Sequence, residues 1–537
     1  MGIHLLCLMI LPFSNSALGA GVTIITHGFG GNVADWIIPM AEKIPQYYRF
    51  FGTNFSCYEI DLLQDSQGNY VSTQREIGGV LPTGAESGEI IVKLDWSQLA
   101  GTLLGSAAYS TTELAPRFAS ALLSTNFIPQ LGGRPLVELP LHFVGHSRGG
   151  SMICEIARLL GAQGVWVDHL TTLDPHPLNN DGFDDTLETF TVDAPARIFA
   201  NVLFADNYYQ QNSSLFGIDP SGERVAGAYN RYLSNLIYVS GVTGGYGNVS
   251  SSHSDVHLWY HGTIDSSTPT SDTQANITEF ERKNWWFSYE SRGAFAGFYY
   301  SLIGRGNRLA EDEPAGPGTS RIADGYNQAW DFGAGVSGNR FRLPSNDGSW
   351  PNIIKLNITG KNIFAVGQST SLKYFYQFGQ NNSQSADLQF YLDNDLNPWN
   401  ANASQVYQAT VSGSGTNFLR IGTNEFTPNP VTTIPGIYAI YGKITFGGRT
   451  RYLYAPELVQ LKPSLRPPLL KQLFWTNNRL QFNVSGLPGQ TLSVQRSADF
   501  RSWTSIATNT LSGFDWVFSD LGSGSDSHRF YRVVLLP

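Results

Sequence analysis

Ser147 lies in the segment Gly145-His146-Ser147-Arg148-Gly149, which has the G-x-S-x-G pattern of a serine nucleophile. Since the chain has 56 Gly among 537 residues, such a match arises by chance in roughly one of two chains like this one and needs context. The apolar segment 139–144 predicts a strand before the serine, and 151–160 has helical apolar spacing. A tight turn between strand and helix exposes the hydroxyl, so Ser147 is the predicted nucleophile.

A serine hydroxyl reacts well only beside a base, and an acid must orient that base. Two aspartates follow Ser147 in the order Ser, acid, His that strand–turn–helix nucleophiles use. Asp174 comes directly after the apolar segment 166–173, which predicts a strand end. Asp206 comes after a second predicted strand over 198–205. From the residues alone, both are candidates for the acid.

Three histidines follow a Gly-rich segment and supply candidates for the base. His257 would lie one turn beyond His253 on the same face of a helix that begins near His253. His261 is expected at the surface. His253 and His257 therefore both remain open as bases.

The segment Thr26-His27-Gly28-Phe29-Gly30-Gly31 ends the first predicted strand, over 22–25. A Gly-rich loop there can offer a backbone N–H to a developing oxyanion. The second N–H would come from Arg148, directly after the nucleophile. The sequence thus predicts an oxyanion hole made of backbone groups.

Four segments in this order resemble the pancreatic-lipase branch of the α/β-hydrolases. They are Ile25-Thr26-His27-Gly28-Phe29, Lys93-Leu94-Asp95-Trp96, Val144-Gly145-His146-Ser147 and Thr172-Leu173-Asp174-Pro175. The resemblance covers about 21–265. It implies an α/β-hydrolase fold, a mostly parallel sheet with helices on both faces, and a lipase or esterase activity.

The same resemblance implies roles for single residues. The family's acid is the aspartate of the Leu-Asp-Pro segment, which implies Asp174. In that family the base lies seven residues before a tyrosine. Tyr260 stands seven residues after His253, which implies His253 as the base. The family's oxyanion loop implies the backbone N–H of Phe29. Arg148 departs from the family, which has a small or apolar residue there.

The pattern of apolar and turn residues changes along the chain and divides it into four parts. Residues 1–20 carry a short apolar run followed by small residues and are predicted to be a signal peptide, which implies secretion or export to the periplasm. Residues 21–338 alternate apolar strands and helices, as an α/β domain does. Residues 340–462 and 469–537 have alternating strands and turn clusters. They resemble immunoglobulin-like and fibronectin type III-like β-sandwiches, which implies attachment to a surface or polymer, or a spacer role.

Composition narrows the class of partner. The net charge is −9 and no dense Lys/Arg stripe occurs, which argues against nucleic acid. Three Cys exclude a disulfide scaffold. Asp181, Asp184 and Asp185 could hold calcium, but no twelve-residue calcium-loop pattern is present, so no cofactor is expected.

The expected function is hydrolysis of a carboxylic ester, of a lipid or a polymer, through an acyl-enzyme. The alternatives are another triad hydrolase, such as a phospholipase, polyester depolymerase or peptidase, and a non-catalytic surface-binding protein with a relict triad.

Overall fold

The computed structural model describes most of the chain with several gaps. The described residues are 21–47, 55–76, 89–101, 109–180, 191–211, 221–234, 252–265, 297–303, 340–416, 418–464, 466–476, 479–522 and 528–536. The predicted signal peptide and Asp181, Asp184 and Asp185 lie outside these residues. Within them, no helix is long and apolar enough to cross a membrane.

The N-terminal part is built on one eight-stranded sheet. Its strands are β1 (Gly21–Thr26), β2 (Phe55–Gln64), β3 (Tyr70–Glu76), β4 (Glu89–Asp95), β5 (Leu141–His146), β6 (Val167–Leu173), β7 (Val202–Tyr209) and β8 (Tyr229–Tyr232). Their order is β3-β2-β4-β1-β5-β6-β7-β8. Every neighbouring pair is parallel except β2 and β3. The predicted α/β class with a mostly parallel sheet is confirmed.

Four α-helices accompany this sheet: α1 (Ile37–Lys43), α2 (Thr111–Leu123), α3 (Arg148–Ala162) and α4 (Ser252–Ile264). α1 packs with α4, and α2 packs with α3. The central strands β1, β5 and β6 are buried along their whole lengths. Burial of every position is the pattern of a parallel sheet that is covered on both faces.

Three predicted elements were misplaced by two residues or more. The strand expected over 139–144 is β5, which spans Leu141–His146. The strand expected over 198–205 begins at Val202, because Phe199 to Val202 forms a turn closed by a hydrogen bond from Val202 N to Phe199 O of 3.1 Å. Asp206 therefore lies inside β7 and not after it. The helix expected over 151–160 already begins at Arg148, directly after the serine.

From Asn352 onward, the described chain forms β-sheets joined by loops, as the sequence predicts. The middle block contains β9 (Asn352–Ile358), β10 (Ile363–Ala365), β11 (Thr370–Gln377), β12 (Ser385–Asp393), β13 (Ser404–Ser412), β14 (Arg420–Phe426), β15 (Gly436–Phe446), β16 (Arg449–Tyr454) and β17 (Val459–Lys462). A six-stranded sheet, β10-β17-β15-β12-β13 with β16 on β15, and a three-stranded sheet, β14-β11-β9, share one apolar core.

The last block has two three-stranded sheets around a smaller core. Its strands are β18 (Leu469–Thr476), β19 (Arg479–Ser485), β20 (Thr491–Ser497), β21 (Thr504–Thr510), β22 (Asp515–Asp520) and β23 (Phe530–Leu535). The orders are β18-β19-β22 and β21-β20-β23.

The middle block is joined to the α/β part by buried polar contacts. The Arg451 guanidinium donates to the carbonyl oxygens of Val137 and Trp166, at 2.6 Å each. Burial lowers the pKa of Arg451 to about 10, although Asp168 acts in the opposite direction. A buried arginine on two carbonyls holds this junction in one geometry. Apolar residues of the middle block also belong to the α/β core, among them Trp350, Leu396, Trp399, Tyr441 and Tyr452.

Glu138 lies at the same junction and accepts a hydrogen bond from Trp399 Nε1 at 3.2 Å. Burial raises the pKa of Glu138 to about 7, while Arg134 and the Trp399 hydrogen bond oppose the shift. A raised carboxyl pKa means that the folded state binds the proton more tightly than the unfolded state. Glu138 thus favours folding at low pH and costs stability as pH rises from about 4.5 to about 7.

The variant Glu138→Gln keeps an acceptor for Trp399 and removes the charge. We expect its free energy of unfolding, minus that of the wild type, to be near zero at pH 4.5. It should grow to at most ~3 kcal/mol by pH 7.5 and then level off. Urea unfolding across this pH range measures the difference. A difference that did not vary with pH would contradict this account of the junction.

Candidate active site

Ser147 occupies a strained turn between β5 and α3. Its backbone has φ 57° and ψ −127°, a region that residues with a side chain rarely adopt. Close backbone packing enforces the turn. A Cβ on Gly145 would lie 2.4 Å from Gly149 O, and one on Gly149 would lie 2.4 Å from His27 O. The two glycines of the motif are therefore required by sterics.

Two neighbours fix where Ser147 lies. Its N–H donates to Leu173 O at 2.8 Å, which places the serine beside the end of β6. On the other side, a Cβ on Gly28 would lie 2.5 Å from Ser147 Cβ and 2.9 Å from its Oγ. The loop after β1 and the end of β6 thus meet at the serine.

Asp174 and His253 form a buried pair at this point. His253 Nδ1 donates to Asp174 Oδ2 at 2.6 Å, although 79 residues separate them. Asp174 is fully buried and His253 is 4% exposed. Burial raises the pKa of Asp174, while hydrogen bonds from His253 and Gln210 oppose the shift. With the proton on Nδ1, the neutral imidazole leaves Nε2 as the basic nitrogen.

His146 brings His253 next to the serine. The rings of His146 and His253 have centroids 4.5 Å apart, and His146 Nε2 donates to His253 O at 2.8 Å. The Ser147 hydroxyl itself is buried and makes no hydrogen bond to any described residue. A hydrogen bond from Ser147 to the predicted base is therefore not formed among the described residues.

The alternative acid has other surroundings, whereas the alternative base, His257, lies 4.8 Å from His146 between ring centroids, about as close as His253. Asp206 Oδ1 accepts hydrogen bonds from His169 Nε2 at 2.8 Å and Thr171 Oγ1 at 2.6 Å, and Asp206 Oδ2 accepts one from Tyr208 OH at 2.7 Å. His257 stacks on Trp36 with ring centroids 4.7 Å apart.

His261, expected at the surface, is buried at 4% exposure. The reason is that all thirteen residues of α4 are buried, so this helix has no solvent face.

The Arg148 side chain forms a buried ion pair. Its Nε and Nη2 donate to the two oxygens of Asp193 at 2.6 and 2.7 Å, and Nη1 donates to Ala100 O at 2.9 Å. Its guanidinium also lies over the Trp96 ring, 5.1 Å from the centroid. Arg148 is the first residue of α3, so its own N–H has no acceptor within the helix. The side chain thus anchors the backbone group that was predicted to bind the oxyanion.

The loop that carries Phe29 is held in a similar way. His27 is fully buried, and its Nε2 lies 3.2 Å from both Asp95 Oδ1 and Trp96 N. Burial alone would raise the pKa of Asp95, but hydrogen bonds from His27 and Ser97 lower it to about 2. Gly30 has φ 64°, so the backbone turns sharply just after Phe29.

Sequence reasoning missed Gln210. Its backbone N–H donates to Asp174 Oδ1 at 2.7 Å, and its side-chain Nε2 donates to Asp174 Oδ2 at 2.8 Å. No spacing rule marks this residue, because it follows β7 and reaches the acid only through the parallel pairing of β6 and β7. His146 was visible in the motif, but no role was predicted for its side chain.

Among the described residues, one acidic group has ligand atoms close enough to hold a metal: Glu59, Asp61 and Asp95, within 4.8 Å of one another. Lys93 Nζ lies 3.5 Å from Glu59 Oε2 and supplies a positive charge from the protein itself.

Similarity to known proteins adds little to this geometry. No family model and no curated protein matches the chain. A crystal structure of red sea bream transglutaminase aligns with 36% of this chain and 29% of its own chain, at 13% identity and a TM-score of 0.14. A likeness that weak supports no statement about fold or function.

The strain at Ser147 predicts an unusual order of stability. Ser147→Gly should be more stable than Ser147→Ala by ~1 kcal/mol, because glycine adopts positive φ without a steric cost. Ser120, exposed on α2, is the control, where alanine should be the more stable substituent by ~1 kcal/mol. Thermal unfolding of the four variants makes the comparison. The same order at both positions would refute a strained Ser147.

The Arg148–Asp193 pair predicts a large loss of stability for Arg148→Met. Removal of the guanidinium leaves the Asp193 carboxylate buried without its ionic partner, at a cost of ~3–5 kcal/mol. Arg158→Met is the control, since Arg158 pairs with Glu155 on the same helix and its side chain is 26% exposed. That loss should be at most ~1 kcal/mol. Chemical denaturation measures both, and equal losses would count against a buried anchor.

Proposed function

We propose that this protein is a carboxylic ester hydrolase of the α/β-hydrolase class, with Ser147 as nucleophile, His253 as base and Asp174 as acid. The observation that carries the proposal is the buried hydrogen bond between His253 and Asp174, next to a serine in a strained turn. Three segments that are separate in the sequence supply these residues in the order Ser, Asp, His. That order accompanies a nucleophile on a strand–turn–helix elbow.

The proposed reaction begins with the proton of Ser147. His253 Nε2 accepts it while Ser147 Oγ attacks the ester carbonyl carbon. Asp174 stabilises the imidazolium through the Nδ1 hydrogen bond. His253 then returns the proton to the leaving alcohol, and an acyl-enzyme remains. Water repeats the same steps and releases the acid.

The tetrahedral intermediate needs donors for its oxyanion. We assign these to the backbone N–H groups of Phe29 and Arg148. Support comes from the contact of Gly28 with Ser147 and from the position of Arg148 at the start of α3. The anchors of the two segments, His27 on Asp95 and Arg148 on Asp193, would keep both donors fixed before the reaction starts.

The proposal extends to the rest of the chain. Residues 1–20 would direct export. The two β blocks would be sandwiches of the immunoglobulin-like or fibronectin type III-like kind.

Ser147→Ala should lower kcat for a p-nitrophenyl ester by ~10⁴–10⁶-fold, because the nucleophile is lost while the fold is kept. Initial rates with acetyl and longer acyl esters, together with labelling by a fluorophosphonate probe, measure the effect. Wild-type activity in this variant would exclude Ser147 as the nucleophile. Folded wild-type protein that takes up no probe would favour the reading as a binding protein with a relict triad.

A further inference from the structure

Gln210 contacts both oxygens of the Asp174 carboxylate. Its backbone N–H bonds to Oδ1 at 2.7 Å and its side-chain amide bonds to Oδ2 at 2.8 Å. Asp174 Oδ2 also accepts the proton of His253 Nδ1. The amide and the imidazole therefore share one carboxylate oxygen, and the orientation of that oxygen decides the orientation of His253.

The backbone around Gln210 packs closely against one side of this carboxylate. Gln210 is fully buried. Its carbonyl accepts a hydrogen bond from Gly222 N at 3.0 Å. A Cβ on Gly222 would lie 2.1 Å from Asp174 Oδ1, so the backbone of that segment covers the carboxylate directly. Asp174 N in turn donates to Tyr208 O at 2.7 Å.

We infer that Gln210 is a positioning residue, which fixes the Asp174 carboxylate so that Oδ2 faces His253 Nδ1. The inference rests on the proposed function, since it concerns how the proposed acid is held. Charge-assisted hydrogen bonds to a buried carboxylate are strong and directional. Without the side-chain donor, the carboxylate can rotate about its Cβ–Cγ bond and is less stabilised as an anion.

Gln210→Met is the test, because methionine has a similar length and lacks the donor. We expect kcat/KM for a p-nitrophenyl ester, and the rate of fluorophosphonate labelling, to fall roughly 10- to 100-fold. The loss should lie in kcat, with KM nearly unchanged, because Gln210 would act on the acid and not on substrate. Gln211→Met is the matched control: Gln211 is the exposed neighbour and should label at the wild-type rate.

Two readouts separate positioning from a general loss of structure. The acidic limb of the kcat/KM profile should move to higher pH in Gln210→Met, because a less stabilised carboxylate makes the His253–Asp174 pair bind its proton more tightly.

Two other titratable rings lie near His253, with centroids at 4.5 Å for His146 and 6.2 Å for His176. Burial, together with the neighbouring His253 and His257, lowers the pKa of His146 well below its usual range, so His146 stays neutral through the acidic limb. His176→Gln serves as a reference for any shift that the His176 ring contributes.

The second readout is a double-mutant cycle with Asp174→Asn. If Gln210 acts through the Asp174 carboxylate, Gln210→Met should cause little further loss in the Asp174→Asn background. Equal losses in both backgrounds, or wild-type labelling with an unshifted profile in Gln210→Met, would overturn the inference. Should Gln210→Met fail to fold, Gln210→Glu replaces it in the same measurements. It is nearly isosteric, and at a pH where its carboxyl is ionised it places a second negative charge against Oδ2. Wild-type labelling under that condition overturns the inference equally.

Failure of the proposed function would look different. In that case Ser147→Ala and wild type would label alike, whatever residue occupies position 210. Labelling that depends on Ser147 but not on Gln210 would leave the hydrolase proposal standing and remove only the role of Gln210.

Discussion

The close backbone approach at Ser147 is the constraint on which the site depends. Gly145, Gly149 and Gly28 each lack a Cβ where one would clash with a neighbouring backbone or with the serine. This approach forces Ser147 to a positive φ and starts α3 at the next residue. The backbone strain at Ser147 persists only because the surrounding residues are tightly packed. β5, which precedes the serine, is buried along its whole length. A looser core would let the turn relax and would move the hydroxyl.

Buried charge around the serine is matched by directional partners. The Arg148 guanidinium makes a bidentate ion pair with Asp193, and the Asp174 carboxylate accepts hydrogen bonds from His253 and Gln210. A buried ion is costly unless nearly all its hydrogen-bonding capacity is used. Each of these groups is held by two or more contacts, which gives a fixed arrangement of polar atoms inside a low-dielectric core. That is the environment in which electrostatic stabilisation of a transition state is strongest.

The sequence predicted the parts of the site that local pattern controls. Ser147 was predicted from a motif and its flanking strand and helix. Asp174 was one of two aspartates placed after apolar runs, and the choice of Asp174 over Asp206 came from the resemblance. The choice of His253 over His257 came from a resemblance, since helical spacing alone left both open. Gln210 and the Asp193 partner of Arg148 could not be predicted. Gln210 reaches Asp174 only because β6 and β7 pair, and Asp193 reaches Arg148 only because the segment between these strands folds back onto the start of α3.

The same reasoning explains why α4 was misread at His261 and why the start of β7 was misplaced. A helix that is buried on every side carries no amphipathic signal, so its polar residues look like surface residues. The segment before β7 is apolar because Ile198 is buried, and a bridge joins its neighbour Phe199 to Phe341. The apolar residues of this segment indicated burial, which is correct, but not a strand. The turn from Phe199 to Val202 delays the start of β7.

The middle β block bears on the site through the starts of two strands. Arg451 binds the carbonyl of Val137, four residues before β5, and that of Trp166, directly before β6. The opposite ends of these strands lead into Ser147 and Asp174. Trp166 Nε1 also donates to Gln377 Oε1 at 2.5 Å on β11, and Asn352 Nδ2 donates to Gly164 O at 2.8 Å. Because a short buried strand transmits a shift along its axis, the block that anchors one end constrains the spacing of the residues at the other. The middle β block, which has an apolar core of its own, thus also holds the starts of the strands that lead into Ser147 and Asp174.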